Sequence, residues 1–160
     1  FNAQYIAAMP DDAYLAKALP ELEKCCKPFV NREALAVLLH SRLACFGDIE
    51  ETVKFINERL AMEGDLYTNK KNKTTPEGCK AVLIDTLPLL EKAENWDNDS
   101  LFELLKAYAE EKGMKAGAVM WAIRVAVARQ AVTPGGATEL MVVLGKEETA
   151  ERIRLAISEL

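Results

Sequence analysis

A chain of 160 residues with 20 Lys and Arg against 25 Asp and Glu carries a formal net charge of -5, and half of its residues are hydrophobic. Folding at this size removes about 69% of the unfolded chain's surface from water, enough for one core or two small helical lobes sharing an interface, which excludes a disordered chain. No uncharged run exceeds ten residues, which excludes a transmembrane helix and a signal-peptide core, and the acidic balance supplies no bulk positive field, so any nucleic-acid function must come from local residues.

Alanine (23) and leucine (20) together outnumber the 25 β-branched Val, Ile and Thr, and Gly and Pro gather at plausible element ends. Helix is therefore expected throughout, an all-α fold. The opening run Phe1-Asn2-Ala3-Gln4-Tyr5-Ile6 is too apolar for a frayed terminus and reads as the start of a piece cut from a longer protein. Pro10-Asp11-Asp12 opens a helix carrying Tyr14, Leu15, Ala18, Leu19 and Leu22, which Pro20 kinks or divides. Asn31 suits the N-cap of the next helix, with Leu35, Leu38, Leu39 and Leu43 on one stripe. Gly47-Asp48 breaks it and starts a third, with Ile49, Val53, Ile56 and Leu60 at helical spacing.

Residues 63–75 read as a polar connector holding the dense basic cluster Lys70, Lys71 and Lys73. It is a solvated loop or, in the alternative, a phosphate contact. Thr74-Thr75-Pro76-Glu77 is a capping-box pattern that opens a helix with Cys79, Leu83, Leu87 and Leu90 on one face and a bend at Pro88. Asp97-Asn98-Asp99 caps a helix over 101–112 that Gly113 ends. A helix over 115–129 carries Val119, Met120, Ile123 and Val127. Thr133-Pro134-Gly135-Gly136 is a tight turn, 139–144 a short helix closed by Gly145, and 146–160 an amphipathic helix with Ala150, Ile153 and Ile157 inward. The division expected is a first helical subdomain over 1–62, a connector over 63–75 and a second helical subdomain over 76–160.

The chemistry a self-sufficient enzyme needs is missing from these residues. The glycines fit no phosphate loop, and no nucleophile elbow is present. His40, the single histidine, lies among leucines and reads as structural. Cys25, Cys26, Cys45 and Cys79 have no zinc spacing and read as free thiols, so no metal site is expected. The acidic pairs sit near helix ends, where they solvate. No catalytic residue is assigned, and the residues alone suggest a helical binding module.

The stretch Gly113-Met-Lys-Ala-Gly-Ala-Val-Met-Trp-Ala-Ile-Arg-Val-Ala-Val, followed by Thr133-Pro-Gly-Gly-Ala-Thr-Glu-Leu-Met and Leu144-Gly-Lys-Glu-Glu-Thr-Ala-Glu-Arg-Ile, closely resembles the end of bacterial glutamyl-tRNA synthetases. Phe1-Asn2-Ala3-Gln4-Tyr5-Ile6 resembles the segment after that family's active-site lysine loop, and Arg42-Leu43-Ala44-Cys45-Phe46 resembles a helix end of the family. The resemblance is strong over 113–153 and weak over 60–80. It implies the C-terminal anticodon-binding region of a class I synthetase: all-helical, two stacked subdomains, with the catalytic domain elsewhere in the parent.

The resemblance further implies that Arg124 reaches the anticodon loop, that Thr133 and Pro134 lie against its bases, and that Arg42 reads the third anticodon base. Gly136 and Ala137 stand where some relatives place Leu and Phe against those bases, so this chain departs from the family there. Lys115, Arg129 and Lys146 are candidate phosphate contacts, each with a solvated helix charge as the alternative. Trp121 reads as core in preference to a base platform. The parent would use ATP and Mg2+, act on glutamate tRNA and possibly glutamine tRNA, and be a cytoplasmic monomer with no membrane contact. A helical protein-docking module is the competing reading.

Overall fold

The computed structural model describes residues 6–40, 47, 49–61, 65–130 and 132–160. The described regular structure is helical, apart from an isolated bridge between Asn69 and Thr74. Helix α1 (Asp11–Cys25) runs through Pro20 without dividing, and turns Tyr14, Ala18 and Leu22 inward. Asn31 caps α2 (Arg32–Leu39) by accepting the Ala34 amide at 3.1 Å, as its side chain suggests. Leu43 and Arg42 lie outside the described residues.

The expected third helix is instead two short pieces, α3 (Ile49–Thr52) and α4 (Lys54–Asn57). The break falls at Val53 (φ -97°, ψ 7°). Ile49 and Val53 on one side of it and Phe55 and Ile56 on the other all enter the core.

The connector closes on itself. The Asp65 carboxylate accepts the amides of Tyr67 and Thr68 and the Thr68 hydroxyl, and these bonds hold it below the usual carboxylate range. The cap of helix α5 (Pro76–Glu91) is Thr75, whose Oγ1 accepts the Gly78 amide at 3.1 Å. The cap therefore stands one residue beyond the Thr74–Glu77 box that the sequence suggests. Thr74 is buried, and its hydroxyl donates to the Tyr67 carbonyl at 2.6 Å. Asp97 caps α6 (Asn98–Glu111), and Gly113 at φ 67° ends it, with the Met114 amide reaching back to the Ala109 carbonyl.

Helix α7 (Ala116–Ala128) is the central element and packs against α5, α6 and the last two helices, α8 (Ala137–Leu144) and α9 (Lys146–Glu159). Its Val119, Ala122, Ile123, Val125, Ala126 and Val127 are buried. The first sixty residues join this body through α2 on α8, where the Asn31 amide donates to the Val143 carbonyl at 2.8 Å. The buried apolar side chains of both halves form one cluster.

Arg152 locks the junction. It sits on the inward face of α9 and is only 2% exposed. Its Nη1 donates to the carbonyls of Phe55 (2.7 Å) and Val127 (2.8 Å), and its Nη2 donates to that of Ile56 (2.6 Å). These carbonyls lie in the last turns of α4 and α7, where helical geometry leaves acceptors without intrahelical donors and the helix dipole favours a cation. Nε donates to Glu148 at 2.8 Å, and Arg59 grips the same carboxylate with two bonds, at 2.9 and 3.0 Å.

This arrangement sets an acid limit on stability. Burial by itself pushes the Glu148 carboxyl up, but the hydrogen bonds and charges of Arg59 and Arg152 together override it and hold it below its ordinary value of 4.5. A carboxylate with a lowered folded-state pKa contributes stability above about pH 4.5, and that contribution fades as pH falls through the folded value. Glu148→Gln should therefore be less stable at neutral pH, and its urea midpoint should drop less steeply below pH 4.5 than that of the parent. Equal steepness in the two proteins would show that other carboxylates govern acid unfolding.

Candidate nucleic-acid interface

One stripe of α7 escapes the core. Ala116, Gly117, Met120, Trp121 and Arg124 keep contact with solvent on a helix otherwise buried. Gly117, Trp121 and Arg124 are spaced i, i+4 and i+7, which puts them on one face over about 10 Å. The Arg124 guanidinium lies over the indole of Trp121, 4.7 Å from the ring centroid, a cation–π contact. Its Nη1 also donates to Thr133 Oγ1 at 3.3 Å, and the Thr133 hydroxyl donates to the Gly135 carbonyl at 2.6 Å. A chain of contacts thus runs from the helix face into the turn. Burial lowers the Arg124 pKa, and the guanidinium still carries its charge at neutral pH.

The turn is held from beneath. Gly135 sits against Leu38 of α2 so closely that a Cβ there would meet Leu38 Cδ2 at 3.1 Å. The Gly136 amide donates to Glu139 Oε1 at 3.1 Å, and α8 begins at once after it, two residues earlier than the sequence pattern places it. Pro134 is half-buried, while Val132 beside it is 75% exposed. Val37, on the turn of α2 next to Leu38, is exposed as well. A pinned guanidinium is therefore set beside a small apolar surface.

At the other end of the stripe lies the lysine-bearing loop. The indole N–H of Trp121 donates to the Leu66 carbonyl at 3.0 Å, and Asn72 presses on Gly117, where a Cβ would lie 2.7 Å from its Oδ1. Trp121 is thus neither wholly core nor free. It is a half-exposed brace between the loop and Arg124. Its i, i+3 spacing to Arg124 is the sequence signal for that pairing.

The remaining sequence-derived candidates separate by environment. Lys115 is exposed at the N-cap of α7. Ala137 is 2% exposed and belongs to the core beneath the turn, so it offers no outward face. Arg129, read as a solvated helix charge or a candidate phosphate contact, is instead 7% exposed at the left-handed end of α7 (φ 57°). Its Nη1 is spent on Glu159 Oε2 at 2.9 Å and on the Leu60 carbonyl at 3.3 Å. Lys146 is half-buried and donates to the Ala93 carbonyl at 2.8 Å. Arg42 lies outside the described residues.

His40 stacks on Tyr14, with ring centroids 4.0 Å apart, and its Nε2 lies 2.9 Å from the Ile6 carbonyl, a structural setting. Burial pushes the Cys26 thiol up to about 12 and the Cys79 thiol up to about 11, which leaves neither a nucleophile. Among the described residues no group of three or more His, Cys, Asp or Glu side chains is arranged to hold a metal ion, and no helix is long and apolar enough to cross a membrane.

A family model for the anticodon binding domain matches residues 3–157. The chain belongs to that family. It is 38% identical over 159 residues to a glutamate–tRNA ligase of Clostridium botulinum (strain Hall), an alignment covering 99% of this chain and 33% of that protein. It is also 38% identical over 159 residues to a glutamate–tRNA ligase of Lachnoclostridium phytofermentans, covering 99% of this chain and 32% of that one. The solved structure of a glutamate tRNA ligase from Elizabethkingia meningosepticum matches 99% of this chain and 31% of its own, with a TM-score of 0.78 at 24% identity, a likeness of fold. This anticodon-binding domain therefore spans about a third of the length of the curated relatives it matches, and its sequence is homologous to their C-terminal part.

Proposed function

We propose that this anticodon-binding domain serves a glutamate–tRNA ligase by holding the anticodon loop of glutamate tRNA, while the rest of the longer protein attaches glutamate in an ATP-dependent two-step reaction. The observation that carries this reading is the Arg124–Thr133 unit. It is a guanidinium steadied on an indole and a hydroxyl, next to the partly exposed turn at Pro134. Single-stranded loops are recognised by such pairings: splayed bases rest on flat apolar or guanidinium faces, and their edges take hydrogen bonds. In this reading Arg124, Pro134 and Gly136 face the loop, while Thr133, 5% exposed, and Ala137 support the turn from within. Arg42 reads the third anticodon base, an assignment that rests on the resemblance. Lys146 is held by the Ala93 carbonyl, and Arg129 by Glu159 and the Leu60 carbonyl through Nη1 alone, its buried Nη2 having no hydrogen-bond partner among the described residues.

ATP and Mg2+ belong in this proposal to the catalytic part of the parent. Residues 1–62 and 76–160 are its two helical subdomains, joined by 63–75, in a cytoplasmic monomer. Recognition of glutamine tRNA as well would depend on how strictly the third anticodon base is read. The 160-residue chain should bind glutamate tRNA weakly, with Kd on the order of 10⁻⁴ to 10⁻⁶ M at physiological salt, and progressively worse as salt is raised. It should catalyse no ATP–pyrophosphate exchange with glutamate and tRNA. Exchange by a clean preparation would reveal an active site within these residues. Failure to bind tRNA, coupled with salt-independent capture of a protein, would favour a docking module.

A further inference from the structure

The second half of the chain divides its cations sharply. Arg129, Arg152 and Arg154 are all engaged in ion pairs, with Glu159, Glu148 and Glu91 respectively. The lysines Lys70, Lys71, Lys73, Lys92, Lys106, Lys112 and Lys115 are exposed and have no ion-pair partner among the described residues, and four of them, Lys70, Lys71, Lys73 and Lys115, come together. The fold then gathers these four. The Asn69–Thr74 bridge, with the Asn72 amide donating to Asn69 Oδ1 at 2.9 Å, turns the loop back on itself and carries the three loop lysines at its tip. Lys73 takes a left-handed conformation (φ 56°) to make that reversal.

Asn72, between Lys71 and Lys73, rests on Gly117, two residues beyond Lys115. Asp65, in the same loop, keeps its charge, its carboxylate accepting from Thr68 and two amides, so the four lysines outnumber it. An acidic chain thus holds a local positive patch. It lies at one end of the exposed stripe on α7 whose other end is Arg124.

We infer that Lys70, Lys71, Lys73 and Lys115 form a docking surface for the sugar–phosphate backbone of the RNA whose loop bases meet Arg124 and the turn at Thr133. The inference rests on the reading given under Proposed function and extends it from the base-facing turn to the strand that leads away from it. Lysine is suited to this role, because an ammonium on a flexible stem neutralises a phosphate without demanding one geometry. Such contacts set register and affinity and carry no sequence information. The Trp121 hydrogen bond to Leu66 makes the patch and Arg124 parts of one braced surface.

The test uses the 160-residue chain and a hairpin RNA comprising the anticodon stem and loop of a glutamate tRNA, with Kd followed by fluorescence anisotropy over a series of KCl concentrations. The variants are Lys70→Gln/Lys71→Gln/Lys73→Gln and Lys115→Gln, with Lys-to-Arg exchanges at the same positions as charge-preserving controls. All four side chains are exposed, so circular dichroism should be unchanged. The plot of log K against log salt should become shallower by about 0.7 to 0.9 for each phosphate that is no longer neutralised, and hairpins with altered anticodons should lose affinity by the same factor. The arginine variants should keep the slope of the parent.

An unchanged slope in the glutamine variants would overturn the patch, and a continuing effect of Arg124→Ala would leave the anticodon reading standing. A shallower slope with no effect of Arg124→Ala would support the patch and remove the reading of the turn. No binding of the hairpin by the parent chain would remove both.

Discussion

Arg152→Ala should destabilise the folded chain by about 3–5 kcal/mol, the range expected when one partner of a buried ion pair is deleted. The guanidinium answers three carbonyls, those of Phe55, Ile56 and Val127, and the Glu148 carboxylate. Its removal leaves those acceptors buried, with a cavity where the side chain was and no water assured of reaching them. The partner ion pair gives the contrast. Arg59 reaches Glu148 from the surface with its side chain 41% exposed, so Arg59→Ala should cost about 0.2–1 kcal/mol.

Urea unfolding of the two variants beside the parent is the measurement. A loss under about 1 kcal/mol for Arg152→Ala would mean that the helix ends find other donors. The midpoint is the quantity to compare. A change in slope would signal that the two halves no longer unfold together, as the position of Arg152 between α4, α7 and α9 would allow.

Arg124→Ala should weaken binding of glutamate tRNA by roughly 5- to 150-fold, about 1–3 kcal/mol, while leaving the helical fold intact. Arg124 is half-exposed, and it meets Trp121 on its own helix and Thr133 on the adjoining turn, so its truncation opens no hole in the core. Arg124→Lys should recover little. An ammonium has no planar fork with which to read a base edge and no flat face to lie on the indole. Thr133→Val, which keeps the shape of the side chain and removes the acceptor of the Arg124 bond, should give a smaller loss in the same direction.

In a full-length ligase carrying Arg124→Ala, the KM for tRNA should rise. Unchanged tRNA affinity in a folded Arg124→Ala protein would place the binding surface elsewhere on the domain.

The helical class and nearly every helix end are legible in the order of residues alone. Those features are local: Asn31, Thr75 and Asp97 accept amides three residues on, and Gly113 and Gly145 take backbone conformations that other residues resist. Arg124 and the turn at Thr133 are legible too, because a motif on one helix and the loop after it is contiguous in the chain. What depends on distant segments meeting emerges only once the chain is packed. Arg152 reads as one more charge on an amphipathic helix until the last turns of α4 and α7 arrive with unbonded carbonyls. Arg129 reads as a surface cation until α9 brings Glu159 to it. The third helix divides at Val53, and its second piece carries Phe55 and Ile56 into a core that only the packed molecule contains. Lysines 70, 71 and 73 are visible as a cluster, but their neighbourhood to Lys115 and Arg124 depends on Asn72 finding a residue with no side chain at Gly117.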